Sequence, residues 1–283
     1  MSAVAPAGVR RAAVLGSPIS HSLSPVLHRT AYRTLGLDWD YDAFDVSEAQ
    51  LPDFLDRVRA QRAWVGLSLT MPLKEPALAL ADSASDIAYA TQAANTLLVE
   101  DGRLHADNTD PAGMVWALER AGIVEVRGLE PVVLGAGATA RSAIAALAGL
   151  GATNVVVCAR RPEAIAELSA VAAGLGVEIT PVPLRDYPQL LTSGLIISTL
   201  PAGVADQFTA EVPDSAEVLL DVIYAPWPTA LAQAWASRGG TIVGGLEMLV
   251  GQAGRQVELM TGQTAPVAEM FQAGLAAQEE ANR

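Results

Sequence analysis

The most informative segment of this chain is Pro131-Val-Val-Leu-Gly-Ala-Gly-Ala-Thr-Ala140. Its first four residues predict a buried strand, and the pattern G-x-G-x-x-A then leads into a helix predicted over Thr139–Leu150. Gly135 permits a tight turn, Gly137 lets a ligand approach the backbone, and Ala140 allows the helix to pack closely on the sheet. This strand, turn and helix predict a dinucleotide-binding site whose pyrophosphate lies at the helix N-terminus.

The rest of the chain alternates apolar strands with amphipathic helices, which predicts an α/β architecture with mostly parallel sheets. Beyond the glycine turn, strands are predicted at Asn154–Ala159, Glu178–Val182, Leu195–Leu200, Val218–Ile223 and Thr241–Val243, and helices at Pro162–Leu175, Leu246–Gly262 and Pro266–Gln278. Before the turn, strands are predicted at Arg11–Gly16, Trp39–Val46 and Trp64–Thr70, a hairpin at Ala94–Glu100 and Arg103–Asn108, and helices at Ser24–Gly36, Leu51–Ala60 and from Pro111 to near Gly122. Ser24 is the predicted cap of its helix, with Pro25 at the first position.

This order of elements predicts two lobes. Residues 1–110, completed by 246–283, form a predicted N-terminal α/β substrate domain, and residues 111–245 form a Rossmann-type dinucleotide-binding domain. The C-terminal helices could return to pack on the first lobe.

Composition excludes several classes of protein. The chain has 283 residues, with 18 basic against 31 acidic side chains and a net charge of −13, which argues against nucleic acid as a partner. Hydrophobic residues make up 51% and charged residues 17%, the balance of a folded protein. Gly, Pro or Arg interrupts every apolar run before the roughly 18 residues that a membrane-spanning helix needs. Met1–Arg11 lacks the apolar stretch of a secretion signal, so we expect a cytoplasmic protein, and we expect no bound metal.

Lysine and cysteine each occur once in the chain. Of the 18 cationic residues all but Lys74 are arginine. Only lysine can release its proton at accessible pH, so its retention at one position points to proton transfer, with compositional chance as the alternative. Cys158 lies in an apolar run, which predicts a buried thiol rather than a reactive one.

The end of the strand after the glycine turn indicates which dinucleotide binds. An NAD site places Asp or Glu there to bond the ribose hydroxyls, whereas this chain has Ala159-Arg160-Arg161. Two guanidinium groups suit a 2′-phosphate through charge-assisted hydrogen bonds. NADP is therefore favoured over NAD, and the alternative is that both arginines are ordinary surface charges.

Small polar residues cluster at the predicted strand ends of the first lobe, where open α/β sheets bind ligands. They lie in four segments, Ser20–Pro25, Ser68–Lys74, Asn95–Thr96 and Asn108–Asp110. Their hydroxyl, amide, carboxylate and ammonium groups suit a small polyhydroxylated acid. Structural alternatives stay open. Ser24 and Asp110 could cap helices, Asn95 could shape a turn, and Lys74 could be a solvated helix residue.

These segments resemble motifs of the shikimate dehydrogenase family, in the pattern of its actinobacterial members, and the resemblance covers nearly the whole chain. The first motifs are Gly16–Pro25 (GSPISHSLSP), which resembles the family's first substrate loop, Gly66–Lys74 (GLSLTMPLK), which resembles its catalytic-lysine motif, and Ala94–Thr96 (ANT). The later motifs are Asp107–Asp110 (DNTD), Tyr224–Thr229 (YAPWPT) and Gly245–Gln252 (GLEMLVGQ). The resemblance implies reversible, NADPH-dependent reduction of 3-dehydroshikimate to shikimate in aromatic amino-acid biosynthesis.

The resemblance also implies roles for individual residues. Lys74 and Asp110 would be the catalytic pair, with Lys74 giving a proton to the substrate carbonyl oxygen and Asp110 orienting the lysine. The substrate would be held by Ser22, Ser24, Ser68, Thr70, Asn95, Asp110, Tyr224 and Gln252. The dinucleotide would be held by Asp86, Gly135, Ala136, Gly137, Ala138, Thr139, Ala159, Arg160, Arg161, Thr199, Val222, Gly245 and Met248, the last two near the nicotinamide.

Departures from the family pattern keep two other functions open. Ser68 stands where Asn is common in the lysine motif, and Ala164 stands where a further Arg is frequent. One alternative is a quinate/shikimate dehydrogenase that uses NAD, against which Arg160 and Arg161 argue. The other is a non-catalytic ligand sensor, which has no need of the lysine and aspartate pair. The sequence does not set the oligomeric state, and a homodimer is left open.

Overall fold

The computed structural model describes residues 9–214 and 216–281, which divide into two compact units. Unit 1 comprises the described residues up to Thr109 together with Ala253–Ala277, and unit 2 comprises Asp110–Gln252 together with those from Gln278 onward. Residues 1–8, which include most of the segment where we predict no secretion signal, lie outside the described residues. Of the helices in the described part, none is long and apolar enough to cross a membrane.

Strands and helices alternate along the chain. Their order is β1 (Arg10–Gly16), α1 (Ser24–Thr34), β2 (Trp39–Asp45), α2 (Leu51–Arg59), β3 (Trp64–Leu69), α3 (Lys74–Leu80), β4 (Ser83–Ala84), α4 (Asp86–Thr91), β5 (Thr96–Glu100), β6 (Arg103–Asp107), α5 (Asp110–Arg120), β7 (Val132–Leu134), α6 (Ala138–Gly149), β8 (Asn154–Ala159), α7 (Pro162–Gly174), β9 (Glu178–Pro183), β10 (Leu195–Ser198), β11 (Val218–Asp221), α8 (Ala230–Ser237), β12 (Thr241–Val243), α9 (Gly245–Thr261) and α10 (Val267–Ala281). Short 3-10 helices lie at Glu48–Gln50, Leu184–Leu190 and Asp206–Glu211.

The sheet of unit 1 has the strand order β2-β1-β3-β5-β6-β4. β1 lies parallel to β2 and β3, while β5 runs antiparallel to β3 and β6. The hairpin between β5 and β6 turns at Asp101 and Gly102, whose φ angles of +48° and +75° are those of the type I′ turn that Asp-Gly favours. The predicted hairpin is therefore confirmed.

The two faces of this sheet differ in polarity, because successive residues of a strand point to opposite sides. On one face, Leu67 and Leu97 pack with Phe54 of α2 in an apolar core. On the other face, Ser68 of β3 pairs with Thr96 of β5, and both side chains are buried. The second face of the unit 1 sheet therefore carries buried polar groups.

The sheet of unit 2 is parallel throughout, with the order β9-β8-β7-β10-β11-β12. Numbered along the chain this is the 3-2-1-4-5-6 order of doubly wound dinucleotide-binding sheets, in which ligands bind where the strand order reverses. That reversal lies between β7 and β10. The predicted doubly wound fold around the glycine turn is confirmed.

Both faces of the second sheet are buried, as expected for a parallel sheet. Val133 and Ile197 point into one core, which α5, α6 and α7 cover, and their neighbours Leu134 and Ile196 point into another, which contains Trp235 of α8. Continuous apolar strands such as β7 and β10 follow from this double burial.

Cys158 of β8 belongs to the second of these cores and is 0% exposed. Burial, with a smaller contribution from Asp186, raises the pKa of its thiol to about 12. The prediction of a buried thiol is confirmed.

The longer predicted elements agree with the structure to within a few residues at their ends. The sequence pattern does not predict β4 or helices α3, α4 and α8, which are six to eight residues long. So short an element does not span enough turns to show a helical period.

Candidate functional site

The glycine turn of unit 2 joins β7 to α6, as the sequence predicts. Gly135 has a φ of +107°, which L side chains rarely adopt, and a Cβ there would collide with the side chain of Thr199. Thr199 is itself held in place, since its Oγ1 and its N–H both donate to the carbonyl oxygen of Leu134, at 2.7 and 2.8 Å. Gly137 is the N-cap of α6, and a Cβ there would meet nothing within 4 Å. Open space at the positive end of α6 fits an anionic group such as a pyrophosphate.

The other predicted residues of this turn line the same end of α6. The helix begins at Ala138, one residue before the predicted start, and Ala136, Ala138 and Thr139 are partly exposed. Ala140 is fully buried, in agreement with its predicted role in close packing of the helix. The turn therefore presents backbone and small side chains to solvent on one side and packs on the sheet with the other.

Arginines follow the next two strands. Arg160 comes directly after β8, Arg161 is the N-cap residue of α7, and both are exposed. Arg160 also lines a surface groove of about 560 Å³ with Arg185, which comes after β9. Because Ala159 pairs with Pro183, these guanidinium groups extend from adjacent strand ends. Arg185 was missed by the sequence reasoning, since only the pairing of β8 with β9 brings it to this groove.

The start of α9 lies against the end of β11 within unit 2. A Cβ on Gly245 would collide with the carbonyl oxygen of Val222, so this approach requires glycine. The N–H of Gly245 donates to the carbonyl oxygen of Ile223 at 3.3 Å. Met248 follows within the first turn of α9 and is 7% exposed. The structure thus brings together the predicted cofactor residues Val222, Gly245 and Met248.

In unit 1, two loops leave the sheet side by side at the carboxyl ends of β1 and β3. A Cβ on Gly16 would collide with the side chain of Thr70, and the N–H of Ser17 donates to the carbonyl oxygen of Met71 at 3.1 Å. The N–H of Thr70 donates to the carbonyl oxygen of Leu15 at 2.9 Å. The loop that leads to Ser22 and the loop that carries Thr70 are therefore neighbours.

Lys74 is the first residue of α3 and is partly buried. Its carbonyl oxygen accepts a hydrogen bond from the N–H of Ala94 at 2.9 Å. The adjacent Asn95 bonds to Thr109, donating from Nδ2 to Oγ1 at 2.9 Å and accepting the backbone N–H at Oδ1 at 2.8 Å. Unit 1 thus links the segment of the single lysine to Asn95 and to the residue that precedes Asp110.

Helix α4 is tied to the loop after β6. Ser85 is the N-cap of α4 and donates to Oδ1 of Asp107 at 2.7 Å, and Nδ2 of Asn108 donates to Oγ1 of Thr91 at 2.8 Å. Asp86, the predicted cofactor residue, is the first residue of α4 and is exposed. The motif Asp107–Asp110 therefore has a structural role beside any role in binding.

The prediction that Ser24 caps α1 is wrong. The N-cap is Leu23, Ser24 is the first helical residue, and Pro25 follows it in the first turn. Oγ of Ser22 accepts the N–H of Ser24 at 3.3 Å, so a neighbouring hydroxyl satisfies the first free donor of the helix. Ser24 itself is only 5% exposed.

A buried polar network lies under these loops, on the polar face of the unit 1 sheet. Tyr41 donates to Oγ of Ser68 at 2.7 Å, Ser68 donates to Oε1 of Gln256 at 2.8 Å, and Nε2 of His28 lies 3.2 Å from the same Oε1. The rings of His28 and Tyr41 stack with centroids 4.0 Å apart. Burial lowers the pKa of His28 to about 3, against a smaller opposing effect of Gln256, and burial raises the pKa of Tyr41.

The sequence reasoning missed His28, Tyr41 and Gln256. A signal for Gln256 was present, because it follows Gln252 by one turn on a helix whose other inward residues are apolar. A polar residue on the buried side of such a helix needs partners, and only the folded unit shows which they are.

The remaining predicted substrate residues lie in unit 2. Asp110 begins α5 and is 4% exposed, and Gln252 on α9 is 7% exposed. A Cβ on Gly113 would lie 2.7 Å from the backbone nitrogen of Gln252, so this glycine lets α5 pack closely on α9. Tyr224 follows β11, its carbonyl oxygen accepts Nε2 of Gln278 at 2.6 Å, and burial raises the pKa of its hydroxyl. Across residues 9–214 and 216–281, no group of three or more His, Cys, Asp or Glu is placed to hold a metal ion.

Unit 2 has the strand order and glycine turn of a dinucleotide-binding domain, and unit 1 is a separate α/β unit with a lysine, hydroxyls and an amide at its strand ends. This combination defines the class of two-domain, dinucleotide-dependent α/β proteins. Within that class, the chain matches the family model of the shikimate dehydrogenase substrate binding domain over residues 14–97 and that of the shikimate 5′-dehydrogenase C-terminal domain over residues 245–273.

Comparison with individual proteins points to the same family. Shikimate dehydrogenase (NADP(+)) of Methylocella silvestris is 41% identical over 261 residues, which cover 89% of each chain. The crystal structure of shikimate dehydrogenase from Mycobacterium tuberculosis is 39% identical with a TM-score of 0.86, over 94% of this chain and 99% of that one. Shikimate 5-dehydrogenase from Thermus thermophilus, solved in complex with NADP(H) and shikimate, is 33% identical with a TM-score of 0.83, over 95% of this chain and 100% of that one. The chain belongs to the shikimate dehydrogenase family.

Proposed function

We propose that this protein catalyses the reversible, NADPH-dependent reduction of 3-dehydroshikimate to shikimate, a step of aromatic amino-acid biosynthesis. The observation that carries the proposal is the position of Lys74. The only lysine of the chain begins α3, and its backbone is bonded to Ala94, beside the buried Asn95. A proton donor that can release its proton thus lies next to a polar anchor in the unit that contains most of the predicted substrate residues.

The residues of unit 2 fit NADP(H). The open space at Gly137 and the N-terminus of α6 would receive the pyrophosphate, and Arg160 and Arg161 would bind the 2′-phosphate. When bound, the nicotinamide supplies or accepts the hydride. Asp86, Ala136, Ala138, Thr139, Ala159, Thr199, Val222, Gly245 and Met248 complete the proposed cofactor site.

In the proposed mechanism Lys74 manages the proton. Its Nζ gives a proton to the carbonyl oxygen of 3-dehydroshikimate, and in the reverse direction it takes the proton from the hydroxyl of shikimate. Asp110 orients the ammonium group and bonds a neighbouring substrate hydroxyl. General acid–base assistance of this kind contributes roughly 10² to 10⁴ in rate. An arginine could bond the same oxygen but would retain its proton.

The proposed substrate contacts are hydroxyls and amides, which suit a ring with several hydroxyl groups and a carboxylate. They are Ser22, Ser24, Thr70 and Asn95 in unit 1, and Asp110, Tyr224 and Gln252 in unit 2. Ser68 differs from these, because its single proton is donated to Gln256 and it can offer a ligand only a lone pair.

One assay tests the function. The purified protein is incubated with shikimate or quinate and with NADP⁺ or NAD⁺, and absorbance is followed at the reduced-nicotinamide band. We expect turnover with shikimate and NADP⁺, and much less with any other pair. Preference for quinate and NAD⁺ would make the protein a quinate/shikimate dehydrogenase, and no turnover with any pair would make it a ligand sensor. The cytoplasmic location stays a prediction, and a homodimer stays open.

A further inference from the structure

We propose that Gln256 is a positioning residue for substrate binding. From α9 it holds the end of β3 against the start of β5, and the proposed substrate contacts Thr70 and Asn95 flank this junction. The proposal rests on the proposed function and adds to it a residue that does not itself touch the substrate.

Gln256 is fully buried and uses every hydrogen-bonding group of its amide. Its Nε2 donates to the carbonyl oxygen of Asn95 at 3.1 Å and to Oγ1 of Thr96 at 2.9 Å. Its Oε1 accepts from Oγ of Ser68 at 2.8 Å and faces Nε2 of His28 at 3.2 Å. One side chain therefore joins β3, the start of β5 and helix α1.

Gly66 of β3 lets α9 come close enough for these bonds. A Cβ on Gly66 would lie 2.6 Å from Cε of Met260, which follows Gln256 by four residues and so shares its face of the helix. A buried amide left without its partners is destabilising, because its desolvation is not compensated by hydrogen bonds. Position 256 is thus closely matched to an amide.

One partner of Gln256, the carbonyl oxygen of Asn95, can only accept a hydrogen bond, and this fixes the direction of the other bonds. The carbonyl oxygen of Asn95 requires the nitrogen of the Gln256 amide, which turns the amide oxygen toward Ser68. Ser68 must then donate its single proton to Gln256, and it accepts the proton of Tyr41. His28 is neutral in its buried position and donates from Nε2, so the four side chains have one consistent arrangement of protons.

Ser68 therefore acts through Gln256 and has no proton left for a ligand. The carbonyl oxygen of Asn95 that receives Gln256 also accepts the N–H of Leu69 at 2.7 Å, so both bonds close the junction where β3 ends. Thr70 follows this junction directly. Loss of the Gln256 amide would loosen the junction and shift Thr70 and Asn95, whereas the proposed residues of the dinucleotide site other than Asp86 belong to unit 2.

The first experiment replaces Gln256 by Leu, which has a similar size and no hydrogen-bonding groups. We expect the displacement of Thr70 and Asn95 to raise the KM for shikimate about tenfold or more, which corresponds to the loss of about one hydrogen bond to the substrate. The KM for NADP⁺ should change less than about twofold. A purely structural role would lower the melting temperature and leave the KM for shikimate unchanged. Gln263→Leu, at an exposed glutamine just beyond α9, is the matched control and should change neither constant.

The second experiment moves the amide from the helix to the strand. Ser68→Asn alone places a second amide in the space that Gln256 fills, and Gln256→Ala alone leaves a hole, so each should raise the KM for shikimate. The double variant Ser68→Asn/Gln256→Ala carries one amide in the same layer, and we expect it to recover to within about threefold of the wild-type KM. If Gln256→Leu fails to fold, comparing the KM of the double variant with those of the two single variants still tests the role of Gln256.

Turnover of shikimate by the wild-type protein separates the two proposals. Absence of that turnover would overturn the proposed function and this inference with it. Normal wild-type turnover together with an unchanged KM in Gln256→Leu, or with a double variant no better than its worse parent, would overturn the role of Gln256 alone. A selective rise in the KM for shikimate with recovery in the double variant would support it.

Discussion

The carbonyl oxygen of Lys74 accepts a hydrogen bond from the N–H of Ala94 over 2.9 Å. Helix α3, which Lys74 begins, has only seven residues and is too short to be stable without external contacts. The bond to Ala94 holds its first residue beside Asn95, which in turn binds Thr109. The backbone of the single lysine is therefore fixed by the same segment that carries the proposed substrate anchor.

Replacing Lys74 by Arg should separate binding from proton transfer. The variant keeps a positive charge and hydrogen-bond donors, so the KM for shikimate should stay within a few-fold, while kcat should fall by roughly 10² to 10⁴ because guanidinium retains its proton. Steady-state kinetics with shikimate and NADP⁺ measure both constants. Arg33→Lys, at an exposed position of α1, is the control for an exchange of cations. A Lys74→Arg enzyme with near-normal kcat would remove Lys74 from the proposed mechanism.

Exchanging the arginines after β8 should change the dinucleotide preference. Arg160→Asp with Arg161→Ser removes two groups that can each form charge-assisted bonds worth about 1.5 to 3 kcal/mol, so affinity for NADP⁺ should fall about 100-fold or more. Affinity for NAD⁺ should change much less, because it has no 2′-phosphate. Titration calorimetry with both dinucleotides measures this, and Arg127→Ser, an exposed arginine of the same unit, is the control. Equal losses for both dinucleotides would contradict the assignment.

The two glycines of the turn after β7 should respond differently to alanine. Gly135→Ala forces a Cβ into Thr199 at a φ of +107°, which should cost at least about 1 kcal/mol of stability and lower the melting temperature. Gly137→Ala meets open space and should leave the melting temperature nearly unchanged, yet weaken NADP⁺ binding about tenfold or more by blocking backbone approach. Thermal unfolding and calorimetry distinguish the two effects. Normal NADP⁺ affinity in Gly137→Ala would place the pyrophosphate elsewhere.

His28 should make the stability of the protein depend on pH. Its pKa is about 3 in the folded protein against 6.5 for an ordinary histidine, chiefly because burial disfavours the charged ring. Between these values the unfolded chain binds one proton more than the folded one, so the free energy of unfolding falls as pH falls, by about 1.4 kcal/mol per pH unit. Above about pH 6.5 the contribution is complete and constant.

The variant His28→Gln isolates this effect, because it keeps a hydrogen-bond donor and cannot be protonated. Urea unfolding at about pH 5.5 and pH 4.5 should give the wild type a slope steeper by about 1.4 kcal/mol per pH unit than that of the variant. Other titrating groups contribute equally to both proteins. Identical slopes would mean that His28 is protonated in the folded state.

Local sequence patterns predicted the elements that are long and regular. The run Pro131–Ala140 predicted β7, its turn and α6, because the glycine spacing and the flanking periods are local properties. The hairpin at Asp101 and Gly102 followed in the same way from the φ angles that this pair tolerates. Helix α3 could not be predicted, since its seven residues are stabilised by contacts with distant segments such as Ala94.

The residues of the candidate site likewise divide into those that local sequence predicts and those that it does not. Lys74, the glycine turn and the arginine pair are predicted from residue type and position alone, because their chemistry is unusual wherever the chain places them. The prediction that Ser24 caps α1 is wrong, since the helix begins one residue earlier than predicted and Leu23 is its N-cap. No local pattern indicates Arg185, and the position of Gln256 on an otherwise apolar helix face does not show which partners its amide binds.

The α/β architecture and the glycine turn therefore follow from continuous segments of the sequence, and the prediction that Lys74 transfers a proton rests on such a segment as well. Only the tertiary structure decided which polar groups share protons. The bonds of Gln256 to Ser68 and Asn95 join residues 188 and 161 positions apart, and whether a buried amide finds its partners depends on how separate strands and helices pack.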